Sequence, residues 1–269
     1  WGNGSADNVT LAVVPMFHIT GMVSVMHTSI YCGATLVIMP RWDRDLAGRL
    51  ISRYQVTTWT NIPTMVIDLL GSPNFASYDL SSLAYIGGGG AAMPQAVAQR
   101  LLEQYGLRYA EGYGLTETSP GVCCTPLGMP WNGTIDLPVS STEDTIRDES
   151  FAELPPWDGK AEIERHTGEI CVRGPQVMRG YWNNPEETAR TIQDGWLKTG
   201  DIGFMDLNGY VTITDRKKDM ILVSGFNVYP NEVEGVVMAH PGVAECAVIG
   251  VPDERSGEAV RLVIVKKDQ

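Results

Sequence analysis

The sequence predicts an α/β fold: a largely parallel sheet with flanking helices, then a small β subdomain and the start of a small α+β C-terminal domain. Three observations carry this expectation. Between Thr10 and Tyr109 short β-branched runs alternate with helical patterns, the rhythm of parallel strands joined by crossover helices. From Gly121 glycines, prolines and short β runs take over. Past Asp215 the α/β rhythm returns.

In chain order, Thr10 to Val14 is a strand-like run ending at Pro15, Gly21 to Ile30 reads as a helix, and Ala34 to Met39 as a buried strand. Asp45 is the expected cap of a helix through Tyr54, with Leu46, Leu50 and Ile51 on one face. Val56 to Trp59 is strand-like, and Pro63 fits the first turn of a helix to Leu70. Leu83 to Ile86 is a strand, Pro94 starts a helix to Gln104, and Leu107 to Tyr109 closes the series. In the β region, Gly168 to Arg173 and Phe204 to Thr214 are β runs, the second turning at Asn208-Gly209. Pro230 to His240 then reads as a helix, and Ala244 to Gly250 and Ala259 to Lys266 as strands.

Composition narrows the function. With 43% hydrophobic residues in 269, the chain can bury a sizeable core. Its 20 Lys and Arg against 32 Asp and Glu give a net charge of −12, which argues against a nucleic-acid partner. Cys32, Cys123, Cys124, Cys171 and Cys246 show no metal-ligand or disulfide spacing and suit a reducing, cytoplasmic compartment. The uncharged stretch from Asn8 to Pro40 is broken by Pro15, His18, Thr20, Gly21, His27 and Gly33, so no run reaches the ~20 apolar residues of a spanning helix. No integral membrane segment is expected, and peripheral membrane contact stays open. Trp1 to Asn8 lacks the basic flank and apolar centre of a signal peptide, and the chain begins without Met, as a piece of something longer would. Oligomeric state leaves no signal.

The richest stretch is Ala110-Glu-Gly-Tyr-Gly-Leu-Thr-Glu-Thr118. Gly112 and Gly114 free the backbone to turn and approach a ligand closely. Tyr113 offers a flat face to a purine, Thr116 a hydroxyl to a phosphate oxygen, and Glu117 a hard oxygen ligand to Mg²⁺. Placed after a strand end, this reads as a nucleotide site at the carboxyl edge of an α/β sheet. A glycine turn running into a polar loop, with Tyr113 on the core, fits the same spacing. Downstream follow Lys198-Thr-Gly-Asp201 and Asp215-Arg-Lys-Lys-Asp-Met-Ile-Leu-Val-Ser-Gly-Phe-Asn-Val-Tyr-Pro-Asn-Glu-Val-Glu234. In that order the three motifs resemble the AMP-forming acyl-CoA synthetases of the acyl-adenylate superfamily, and the last looks closest to bacterial long-chain fatty acid ligases.

The resemblance implies ATP, Mg²⁺ and CoA, with a carboxylic acid as the activated substrate. A carboxylate is a poor acyl donor until transfer to the α-phosphate of ATP gives it AMP as a leaving group. Tyr113 would stack on adenine, Thr116 would contact phosphate, and Glu117 would ligate Mg²⁺. The run Gly87 to Gly90, including Gly88 and Gly89, would wall the site, its missing side chains admitting adenine and the acyl group. Asp201 would accept from both ribose hydroxyls, with Arg216 as a cationic neighbour. His18 would position the acid, and Pro63, Thr64 and Met65 would line the acyl pocket. Residues 216–218 would form a hinge with Lys218 as pivot, and Ser224 and Gly225 would flank the pantetheine tunnel.

The implied organisation is residues 1–120 and 121–215 as the α/β part and β subdomain of the large domain, and 219–269 as the beginning of a mobile one. A Ser/Thr/Gly-rich phosphate loop before Trp1 and a lysine beyond Gln269 complete the family pattern elsewhere, so the isolated chain is expected not to run the full reaction. Two local departures stand out: Asp136, where the family usually has Gly, and a long, charged segment from Glu143 to His166. A fatty acid is the first substrate expected, with an aryl acid second. A carrier-loading adenylation domain and a non-catalytic acyl- or adenylate-binding module remain as other classes.

Overall fold

The computed structural model describes residues 4–126, 128–224, 226–253 and 255–267. Contacts divide them into two compact units: residues 1–143 with 172–190, and 144–171 with 191–269.

The first unit is built on a seven-stranded sheet. Its strands are β1 (Val9–Ala12), β2 (Thr35–Ile38), β3 (Thr58–Asn61), β4 (Tyr85–Gly89), β5 (Tyr109–Gly114), β6 (Gly121–Cys124) and β7 (Leu137–Pro138), in the order β2-β1-β3-β4-β5-β6-β7. The five from β2 to β5 are mutually parallel, and β6 and β7 extend the edge antiparallel. Between β1 and β2 the chain forms a π-helix over Thr20–His27 and then α1 (Thr28–Cys32), so the expected single helix is divided. The other crossovers use α2 (Arg44–Tyr54), α3 (Pro63–Leu70) and α4 (Gln95–Tyr105).

Local chemistry explains these boundaries. Pro63 opens α3, where its missing N–H costs nothing. Asp43, two residues earlier than expected, caps α2 by accepting from Leu46 N at 2.7 Å. Asp45 instead faces sideways and accepts from Ser72 Oγ and Tyr78 Oη, each at 2.6 Å. Leu11, Met39, Ile51, Val56, Trp59 and Val66 form the buried centre of the core, and Trp42 stacks on Trp59 with ring centroids 5.8 Å apart.

The second unit carries two antiparallel sheets. The first contains β8 (Glu143–Arg147), β9 (Gly168–Arg173), β10 (Ile192–Gln193) and β11 (Trp196–Met205) in the order β10-β11-β9-β8, with β12 (Val211–Arg216) also paired to β11. α5 (Pro185–Thr191), whose residues up to Arg190 belong to the first unit, precedes β10 in the chain. The β11–β12 turn closes at Asn208-Gly209, as the dipeptide predicts, with Gly209 at φ 86°. The second sheet contains β13 (Ile221–Val223), β14 (Phe226–Val228), β15 (Val243–Asp253) and β16 (Gly257–Lys266) in the order β14-β13-β16-β15. α6 (Pro230–Met238) is tied to β15 by Glu234 Oε1, which accepts from Val248 N at 2.7 Å.

Both departures noted in the sequence have local explanations. Asp136 sits at φ 65°, the left-handed region that favours glycine and that Asp tolerates better than most residues. Its buried carboxylate accepts from Thr125 Oγ1 at 2.6 Å. In the 143–166 segment Arg147 lies over the Phe151 and Trp196 rings, 4.6 and 4.9 Å from their centroids, which folds the charged loop onto its own unit.

Candidate functional site

In the first unit the richest motif is strand before it is loop. β5 runs through Gly114, so Gly112 and Gly114 do not make the sharp turn expected of them. Paired strands explain the glycines better: a Cβ on Gly114 would strike the Pro120 carbonyl. Thr116–Thr118 then forms one 3₁₀ turn. Thr118, fully buried, holds that turn with its hydroxyl, which accepts from Leu115 N at 2.9 Å and donates to Pro120 O at 2.6 Å. The result is a rigid strand end that presents Tyr113 half-buried and Thr116 exposed.

Glu117 is anchored on the same turn. Tyr181 Oη donates to its Oε1 at 2.8 Å, and Met178 N donates to its backbone carbonyl at 2.8 Å. No local pattern signals Tyr181, which arrives from 64 residues downstream. Among the described residues no group of three or more His, Cys, Asp and Glu forms a metal cluster. A single carboxylate still suits Mg²⁺, which keeps waters and completes its shell with substrate phosphates.

The glycine run also proves to be strand: Gly87 to Gly89 belong to β4. The space their missing side chains leave is filled from within. A Cβ on Gly88 would meet the Tyr109 hydroxyl, and one on Gly89 the Gly112 carbonyl. Only at Gly90, with φ 80° and nothing within 4 Å of an added Cβ, is that space open. Close strand packing by itself already calls for glycine at 88 and 89.

Beside this strand lies Glu111, which sequence reasoning passed over. It is buried, and burial pushes its carboxyl up to about 8, outweighing the nearby Tyr109 hydroxyl, while the Asp136 charge pushes the same way. Neither Glu111 Oε2 nor Tyr109 Oη makes a well-formed hydrogen bond. His18 is elsewhere, exposed on the turn before the π-helix, its Nδ1 accepting from Thr20 N at 3.2 Å. It is not a packed core residue. Pro63, Thr64 and Met65 open α3.

In the second unit Asp201 and Arg216 are register partners in β11 and β12, and Asp201 Oδ1 lies 3.5 Å from Arg216 Nε. The carboxylate is 8% exposed and the guanidinium 58% exposed, so the pair has one buried end and one open end. Gly200 stands at φ 76°, a kink that the Lys198-Thr-Gly-Asp segment needs. Glu169 secures it, accepting from Gly200 N with one oxygen and from Lys217 Nζ with the other, each at 3.0 Å. Lys218 is exposed in the turn 216–220, which closes through Asp219 N to Arg216 O at 3.0 Å. Asp215 ties the preceding strand to α6 by accepting from Asn231 N at 3.1 Å. Ser224 is exposed at φ 51° between β13 and β14, with its N–H bonded to Ser256 O at 2.8 Å. Gly225 lies outside the described residues.

Residues 1–182 match the model of the AMP-binding enzyme family, and residues 232–269 match that of the AMP-binding enzyme C-terminal domain. The chain belongs to the AMP-binding enzyme family. It is 44% identical over 263 residues to the long-chain-fatty-acid–CoA ligase of Escherichia coli O6:H1, a match covering 97% of this chain and 45% of that protein. Feruloyl-CoA synthase of an Amycolatopsis species is 36% identical over 266 residues, covering 98% of this chain and 52% of that protein. The crystal structure of ATP-bound MatB from Rhodopseudomonas palustris superposes with a TM-score of 0.89 at 32% identity, covering 98% of this chain and 51% of MatB. The chain thus spans about half the length of the relatives it matches. These adenylate-forming neighbours share the mixed α/β architecture described above. Among the described residues, no helix is long and apolar enough to cross a membrane.

Proposed function

We propose that this chain forms part of an AMP-forming acyl-CoA ligase that activates a carboxylic acid, in the first place a fatty acid. The observation that carries this reading is the strand end of β5, where an exposed Thr116 and a Tyr181-held Glu117 follow a half-buried Tyr113. The similarity to a long-chain-fatty-acid–CoA ligase favours the fatty acid. That to a feruloyl-CoA synthase favours an aryl acid as the second reading.

In this reading Tyr113 offers its face to adenine, and the Thr116 hydroxyl donates to a phosphate oxygen. Glu117 holds Mg²⁺, which when bound offsets charge on the phosphates. Asp201 accepts hydrogen bonds from the ribose hydroxyls, and Arg216 adds positive charge. The backbones of Gly88, Gly89 and Gly114 border the nucleotide, and His18 orients the acid. The carboxylate oxygen bonds to the α-phosphorus as the bond to pyrophosphate breaks. The thiolate of CoA then attacks the acyl carbon, and AMP departs with the bonding pair. Lys218 serves as the pivot of a hinge over 216–218 that moves residues 219–269, and Ser224 and Gly225 border the pantetheine path. Five free cysteines support a reducing cytoplasmic setting.

Equilibrium binding of AMP to the 269-residue chain tests the nucleotide assignment. Tyr113→Ala is expected to weaken binding about tenfold, the usual worth of one base-stacking ring. Equal affinity in the variant would remove Tyr113 from the site.

A further inference from the structure

A cleft of about 570 Å³ opens on the first unit between α2 and the turn at residues 74–78. Arg49, Ser52, Arg53, Asn74, Ser77 and Tyr78 line it, and none of these has a role in the proposed ligase chemistry. Arg49 and Arg53 stand one helical turn apart, on the same face of α2. Both are exposed, and neither has an ion pair or a hydrogen bond among the described residues. Arg53 is steadied by the Tyr54 ring, 5.3 Å away. Two unneutralised guanidiniums side by side repel each other, and in a chain of net charge −12 acidic partners are plentiful.

The other lining groups are already committed. Tyr78 Oη donates to Asp45 at 2.6 Å, Ser77 Oγ to Asn74 O at 2.6 Å, and Ser52 Oγ to Gly48 O at 2.9 Å. Asp45, held by Ser72, Tyr78 and Asn74, stays ionised but does not line the cleft. The donors left over are those of the two arginines and one N–H of the Asn74 amide, and two guanidiniums together balance the two negative charges of a phosphate monoester, which a single carboxylate does not. The depression is open to solvent, so a bound anion would reach the arginines from the surface.

We propose that this cleft binds a phosphate monoester through Arg49 and Arg53, at a site separate from the nucleotide-handling residues. The phosphate comes either from a soluble metabolite or from a lipid headgroup, and the experiment separates the two.

Titration calorimetry with inorganic phosphate and glycerol 3-phosphate measures the soluble source. Sedimentation with phosphatidylcholine vesicles, with and without phosphatidic acid, measures the lipid one. Hydrogen–deuterium exchange of the full chain locates the contact. Binding to at least one probe is expected, with protection over residues 49–53 and 74–78. Removal of each arginine is expected to cost about tenfold in affinity, so that Arg49→Gln with Arg53→Gln loses about 100-fold, while the paired Lys substitutions fall between. Thr116→Ala should leave this binding intact, which separates the site from the nucleotide assignment. Both arginines are exposed, so the double variant is expected to fold, and an unchanged circular dichroism spectrum checks this. Failure to bind any probe, binding that survives the double Gln variant, or protection confined to other segments would overturn the proposal.

Discussion

The Tyr181 hydroxyl donates to Glu117 Oε1 at 2.8 Å, fixing one oxygen of the carboxylate proposed to hold Mg²⁺. A carboxylate held by a neighbour needs no reordering when the ion arrives. Tyr181→Phe is therefore expected to raise the Mg²⁺ concentration needed for half-maximal activity by about tenfold, the low end of what loss of such a supporting contact does. Stability should fall by only about 0.5–1.5 kcal/mol, the usual worth of one hydrogen bond. A metal dependence identical to wild type would show that Tyr181 does not position Glu117.

Glu111 should make stability fall as pH rises. Its carboxyl is raised from 4.5 to about 8 in the folded chain, chiefly by burial, with Asp136 and Tyr109 as its charged and polar neighbours. Between these values the unfolded state has lost a proton that the native state keeps, so stability declines from about pH 4.5 to about pH 8 and then levels. Glu111→Gln is expected to flatten that part of the curve. Urea midpoints at pH 5.5 and pH 8 measure it, and an unchanged slope in the variant would rule Glu111 out as its source.

Asp136 offers a companion test. Burial raises its carboxyl too, against the opposing hydrogen bond from Thr125. Asn keeps the acceptor for Thr125 and tolerates φ 65° at least as well, without a buried charge. Asp136→Asn is expected to stabilise the chain at pH 8, because the buried charge goes while the acceptor for Thr125 stays. A lower thermal midpoint would mean that the charge itself is needed.

The parallel core was legible because its signals are local. Apolar β-branched runs and Pro63 act within a few residues, and α3 falls on its expected bounds; the same holds in the antiparallel sheet for β9 and the Asn208-Gly209 turn. The glycines of β4 were not legible as strand. Glycine has poor β propensity, and what suits Gly88 and Gly89 to their places is the Tyr109 hydroxyl and the Gly112 carbonyl, contacts made across strands. Asp43 and Asp45 offer equal capping chemistry on paper, and only the chain's path selects Asp43. At the proposed site, Tyr113, Thr116 and Glu117 announced themselves by residue type. Tyr181 and Glu169 act through neighbours distant in sequence, and Glu111 through burial that only the folded sheet creates, so no spacing reveals them.

The glycine contacts set up a direct contrast in stability. Gly89→Ala drives a methyl into the Gly112 carbonyl of β5, whereas Gly121→Ala meets nothing within 4 Å. The first is expected to cost about 2–3 kcal/mol, as overpacking between fixed backbones does. The second should be neutral or slightly stabilising, since Ala loses less chain entropy than Gly. Equal denaturation midpoints for the two variants would refute the packing explanation of the β4 glycines.

Carboxylate-dependent exchange of pyrophosphate into ATP reports acyl-adenylate formation directly, without the thioester step. Measured on the longest natural polypeptide that contains this chain, with fatty and aryl acids in parallel, exchange is expected with a fatty acid and is expected to be lost in Asp201→Ala. Absence of exchange with every acid from a folded protein, or full exchange in Asp201→Ala, would contradict the assignment of this chain to acid activation through these residues.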